Sequence, residues 1–242
     1  MSTTRINLWS GPRNVSTALM YSFAQRSDTQ VVDEPLYAHY LTVSDADEYH
    51  PGAAEVIATQ DNDGARVVRE LILGPCATPV IFFKQMTHHL VQIDRGFMRQ
   101  TVNVLLTRAP APMILSFSKN IETPTMRDIG YAMQAELYQQ LCAMGQAPPV
   151  LDSKQILLNP RGVLSELCAR IGIPFEDAML RWTPGPRPED GSWAKYWYAN
   201  VHKSSGFAPY VEKDEPFPDR LRPLLEESLP YYEMLEKVAI KA

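Results

Sequence analysis

"NLWSGPRNVSTALMYSFAQR" occupies residues 7–26. It opens on an apolar run, turns through Gly11 and Pro12, and becomes helix-forming after the hydroxyl residues Ser16 and Thr17. The apolar run predicts a β-strand over 6–9, and Leu19, Met20, Phe23 and Ala24 give the buried face of a helix over 16–26. Gly11 is expected to take a positive φ, Pro12 to stiffen the turn, and Ser16 to cap the helix. A strand, a tight loop and a helix N-terminus leave unpaired backbone N–H groups that, together with the helix dipole, favour an anion. The loop departs from the nucleotide-triphosphate pattern G-x-x-x-x-G-K-[ST]: counted from Gly11, the second Gly and the Lys positions hold Ser16 and Thr17. Its cation comes earlier, at Arg13, where a guanidinium can fork onto an anionic oxygen or a bridging leaving group.

Outward from this stretch, short β-rich runs recur at 6–9, 29–33, 79–83, 101–107 and 149–152, separated by helical patterns at 16–26, 65–73, 125–144, 161–171 and 219–238. That alternation predicts an α/β three-layer sandwich with a central parallel sheet of about five strands, P-loop NTPase-like in architecture. The runs are apolar on both faces, as strands covered by helices on each side must be. One domain over 1–242 accounts for the length, with two segments outside the alternation. The acidic 45–64 segment reads as a lid, and 181–210, punctuated by proline and glycine and dense in aromatics, reads as a wrap over the sheet edge.

With 23 Lys plus Arg against 28 Asp plus Glu, the net charge of −5 gives no overall positive field to attract nucleic acid or an anionic membrane. Any anion site must be local. Cys76, Cys142 and Cys168 are widely spaced and odd in number, which argues against a disulfide framework or a cysteine zinc site. The start "MSTTRINLWSG" lacks a secretory pattern, and no apolar run approaches the roughly 20 residues that span a bilayer, so a cytoplasmic location is expected.

A second strand–loop–helix unit sits at "LLTRAPAPMILSFSK", 105–119. Arg108 ends the strand, prolines open the next helix, and Ser116 follows eight residues after the arginine. In a parallel sheet both loops fall at one edge, where Arg108 and Ser116 can grip a second phosphate. Taken together, "SGPRNVSTAL", "DEPLY" and "TRAPAPMILSFSK" resemble the superfamily of sulfotransferases that use 3′-phosphoadenosine-5′-phosphosulfate, PAPS. The likeness extends through "NPRGVLSELCARIGIPFED" to Asp177. It implies that Arg13, Asn14, Val15, Ser16 and Thr17 cradle the 5′-phosphosulfate, and that Arg108 and Ser116 hold the 3′-phosphate. Val15 stands where the family has a loop glycine, Arg13 where many members have lysine, and the family's C-terminal R-K-G-x-x-G segment is absent. Lys203 and Ser205 in "VHKSSGFAP" are the candidate replacements for that segment, against an ordinary surface turn.

Sulfuryl transfer needs charge stabilisation on the bridging oxygen and a base for the acceptor proton. Arg13 is the first candidate for the former, with Lys84 beside it, and no metal is required. Glu34 in "DEPLY" and His88 in "FFKQMTHHL" are the candidate bases, with His89 able to replace the latter. The expected partner is a small-molecule acceptor bearing a hydroxyl or amine. The aromatic tract 193–202, with Tyr37 and Tyr40, fits core packing or a homodimer interface better than acceptor stacking. A P-loop kinase or nucleotide hydrolase, and a family member that binds a nucleotide without catalysis, are the alternative functions.

Overall fold

The computed structural model describes residues 3–212 and 215–242. Five parallel strands form the sheet: β1 (Thr4–Ser10), β2 (Thr29–Asp33), β3 (Val80–Met86), β4 (Val102–Thr107) and β5 (Val150–Asp152), in the order β2-β3-β1-β4-β5. Every residue of β3 is buried, because helices cover both faces.

Side-chain alternation along the strands divides the core into two layers. On one face Ile6, Leu8, Val31 and Phe82 pack under the helices Ser16–Phe23 and Pro160–Ile171. Phe23 stacks on Phe82 with ring centroids 4.2 Å apart, a contact whose truncation to Ala is worth about 3–5 kcal/mol. On the other face Trp9, Ile81, Phe83 and Leu105 pack under the helices Tyr131–Ala143 and Arg222–Glu236. β1 and β4 are neighbours; the helix after β1 packs in the first layer, whereas Pro110–Phe117 after β4 packs against the Arg222–Glu236 helix of the second, so a crevice opens outside their carboxyl ends.

Several boundaries differ from the sequence expectation. The predicted helix 125–144 is two helices, Met126–Ile129 and Tyr131–Ala143, divided at Gly130 with φ 74°. A left-handed glycine ends a helix. The predicted helix 65–73 is a short α-turn, Gly64–Arg66, that widens into a π-helical turn over Val67–Ile72. Segment 45–64 forms a 3₁₀ turn, Ala46–Glu48, and a helix, Ala53–Thr59, held by Tyr49 Oη donating to Asp128 Oδ1 at 2.7 Å. Within 181–210, Trp193 and Tyr198 are buried against Tyr37 and Tyr40.

Candidate active site

The loop after β1 reaches its shape by a different route from the one its glycine suggests. Gly11 does not adopt a positive φ; Arg13 does, at 53°. Gly11 is needed for close approach, since a Cβ there would lie 2.8 Å from the Ile129 carbonyl oxygen. Nor does Ser16 cap its helix. Asn14 does the local work, its Oδ1 accepting from the Ser16 N–H at 2.9 Å and its Nδ2 donating to the Gly11 carbonyl at 2.8 Å. Ser16 and Thr17 are thereby left in the first helical turn, lining a cavity of about 850 Å³ at the carboxyl edge of the sheet.

Arg13, Ser116 and Arg108 meet at this cavity. Arg13 Nε donates to Ser116 Oγ at 3.1 Å, one Nη of Arg13 donates to the Trp197 carbonyl at 3.2 Å, and Arg108 Nη1 donates to the Arg13 carbonyl. Burial lowers the pKa of both guanidinium groups, and the charge of Arg108 lowers that of Arg13 further. Among the described residues neither is ion-paired to a carboxylate. Two half-buried cations that repel each other with no intervening anion make a site whose energy falls when an anion enters.

The same cavity is lined by Glu34, Lys84 and Tyr198 of a buried charge cluster. β2 and β3 run in register with Asp33 opposite Lys84. Lys84 Nζ donates to Asp33 Oδ1 at 2.9 Å, to Glu34 Oε1, and to Tyr198 Oη at 2.6 Å. Tyr198 Oη in turn donates to Asp33 at 2.7 Å and accepts from Trp193 Nε1 at 3.1 Å. The two carboxylates raise the Lys84 pKa against the opposing effect of burial, so the ammonium is retained. Burial pushes Glu34 up to about 7, with Lys84 opposing and Asp33 reinforcing the shift. Glu34 holds a positive φ of 41°. Arg13 and Glu34 are two of the three non-glycine residues with that strain among those described, and both line the cavity.

His88 and His89 also line the cavity and are buried, with rings 4.6 Å apart. His89 is sandwiched between Tyr37 at 4.8 Å and Tyr40 at 4.9 Å. Burial pushes His88 down to about 3 and His89 well below the usual imidazole range, so both are neutral near pH 7. Lys203 and Ser205, by contrast, are exposed and do not line the cavity; their neighbours Ser204 and Gly206 do. Arg13, Asn14, Val15, Ser16, Thr17, Glu34, Lys84, His88, Arg108 and Ser116 are thus brought to one cavity, while that pair stays outside it.

Asp33, Trp193 and Tyr198 were not singled out by sequence reasoning. The one available signal for Asp33 was the buried lysine in "FFK", which demands an acidic partner on a neighbouring strand end.

Residues 4–239 match the family model described as Sulfotransferase domain. The chain belongs to that family. Among solved structures, it is similar to a sulfotransferase from Alicyclobacillus acidocaldarius, with 13% identity and a TM-score of 0.53, covering 100% of this chain and 98% of that one. It is also similar to the sulfotransferase domain of the Synechococcus PCC 7002 olefin synthase, with 14% identity and a TM-score of 0.51, covering 93% and 95%. At these identities the likeness is one of fold, and it supports the sulfotransferase α/β architecture with a parallel central sheet. Two Arabidopsis thaliana proteins, branched-chain-amino-acid aminotransferase-like proteins 2 and 1, are each 38% identical over 231 residues, 95% of this chain. The chain spans 41% of the length of these relatives. No helix among the described residues is long and apolar enough to cross a membrane.

Proposed function

We propose that the protein transfers the sulfuryl group of PAPS to a hydroxyl or amine of a small-molecule acceptor. The observation that carries this reading is the convergence of Arg13, Arg108 and Ser116, without a carboxylate partner, on a cavity shared with the helix-start hydroxyls of Ser16 and Thr17. A volume of about 850 Å³ suits a nucleotide together with part of an acceptor. The phosphosulfate belongs over the β1 loop, against the backbone N–H groups that open the Ser16–Phe23 helix. The 3′-phosphate belongs between Arg108 and Ser116.

In transfer, the acceptor oxygen or nitrogen forms a bond to sulfur while the bond from sulfur to the bridging phosphate oxygen breaks. The electron pair leaves with adenosine 3′,5′-bisphosphate, and Arg13 stabilises the charge that develops there. The acceptor proton goes to Glu34, whose pKa of about 7 matches a general base far better than His88 at about 3. Lys84, held by two carboxylates, positions Glu34. An aminotransferase reading has no support in the lysines: Lys84 is the only buried lysine among the described residues, and its paired ammonium is not a free amine for a Schiff base. A donor carrying radioactive sulfate tests the proposal: bisphosphate release and label transfer without added magnesium are expected, whereas turnover confined to magnesium and ATP would overturn it.

A further inference from the structure

Resting on the transfer reading above, we infer that the acceptor is a neutral polyhydroxylated molecule of about sugar size, held through its oxygens by the ring N–H groups of His88 and His89. Neither histidine hydrogen-bonds within the described residues, although both are more than nine-tenths buried. In each ring Nδ1 is the enclosed atom without a partner, whereas Nε2 is not enclosed and the ring lines the cavity. An enclosed N–H is costlier to leave unpaired than an enclosed lone pair, so the hydrogen belongs on Nε2. Two adjacent neutral N–H donors then face the occupant, and the Glu34 carboxylate, which lines the same cavity, supplies an acceptor.

That donor and acceptor set selects hydroxyls. An alcohol oxygen accepts from an imidazole N–H and offers its own proton to Glu34, whereas an ammonium has no lone pair for either histidine. A carboxylate acceptor would face the Glu34 carboxylate, and the ammonium next to it, Lys84, is already bound to Asp33, Glu34 and Tyr198. His50 extends the polar wall, with Nδ1 2.8 Å from Tyr37 Oη and Nε2 without a partner. Tyr37 and Met86 add apolar surface suited to the C–H faces of a ring.

The test is a thermal-shift and calorimetric panel with myo-inositol, glucose, ethanolamine and succinate, run with and without saturating adenosine 3′,5′-bisphosphate. The polyols are expected to bind in both arms and ethanolamine in neither, and succinate is expected not to bind once the bisphosphate occupies Arg13 and Arg108. His88→Leu and His89→Leu should each weaken polyol binding roughly tenfold, the loss of one or two hydrogen bonds. His88→Gln, which keeps an N–H donor, should lose less than threefold and controls for misfolding. Binding of ethanolamine or succinate without polyol binding, or unchanged polyol affinity in properly folded leucine variants, would overturn the inference. Failure of the bisphosphate arm alone would refute the donor reading while the bisphosphate-free panel still decides the acceptor class.

Discussion

Arg13 Nε and Ser116 Oγ lie 3.1 Å apart, hydrogen-bonded across 103 positions of sequence. The bond ties the loop after β1 to the Pro110–Phe117 helix after β4, so that the two ends of one bisphosphorylated ligand would be gripped by parts that brace each other. Ser116→Ala should free the guanidinium, weaken adenosine 3′,5′-bisphosphate binding roughly tenfold, and leave stability within about 1 kcal/mol, as calorimetry and urea unfolding will measure.

With Glu34 as the proposed base, its ionisation should set the pH dependence of turnover. As the base it must be ionised, so kcat/KM should rise with pH through an apparent pKa near 7, to which burial lifts the Glu34 carboxyl. Glu34→Gln should remove that limb and lower kcat about 10²- to 10⁴-fold, while bisphosphate binding stays intact. A pH profile unaltered by the substitution would move the proton elsewhere.

The buried histidines should make the fold acid-sensitive. Burial pushes His50 down to about 4, His88 to about 3 and His89 well below the usual imidazole range, so below pH 6.5 the unfolded chain binds protons that the native one refuses. Their stabilisation is complete above the unfolded pKa and is lost as pH falls from about 6.5. At pH 5.5 the loss is roughly 1.4 kcal/mol each for His50 and His88, about 3 kcal/mol for the two, and His89 acts in the same direction. Glu34 opposes it: a raised carboxylate favours the fold at low pH, and its shift returns about 2 kcal/mol over the same interval. Urea unfolding at pH 7.5 and 5.5 should therefore show a net loss of about 1 kcal/mol from His50, His88 and Glu34, enlarged by His89. His88→Gln should diminish the acid loss by about 1.4 kcal/mol; an unchanged difference would show that His88 takes up its proton in the native state.

The sheet was legible because its strands are local apolar runs. Strand 29–33 was predicted with the bounds it has, Thr29–Asp33, and the two loops proposed to hold the nucleotide follow directly from strand ends. What escaped depends on distant contact or on the backbone. Tyr198 reaches Lys84 across 114 positions, and nothing in "WAKYWYANVH" states which aromatic turns inward. The pairing of Asp33 with Lys84 needs the knowledge that β2 borders β3. The strain at Arg13 is not written in its side chain, since the neighbouring glycine was the expected place for it. Gly130 was the exception: a glycine inside a helical pattern followed by a new apolar repeat was a readable stop.

In the proposed function Arg108 recognises a 3′-phosphate while the β1 loop holds the other end of the same nucleotide. Thermal or chemical unfolding of wild type and Arg108→Ala, each with adenosine 3′,5′-bisphosphate or ADP, tests it most directly. At 100 times the dissociation constant the bisphosphate should stabilise the wild type by about 2.7 kcal/mol. Arg108→Ala should lose most of that stabilisation and leave the weaker effect of ADP nearly unchanged. Equal losses for both ligands, or no stabilisation of the wild type by the bisphosphate, would contradict the account.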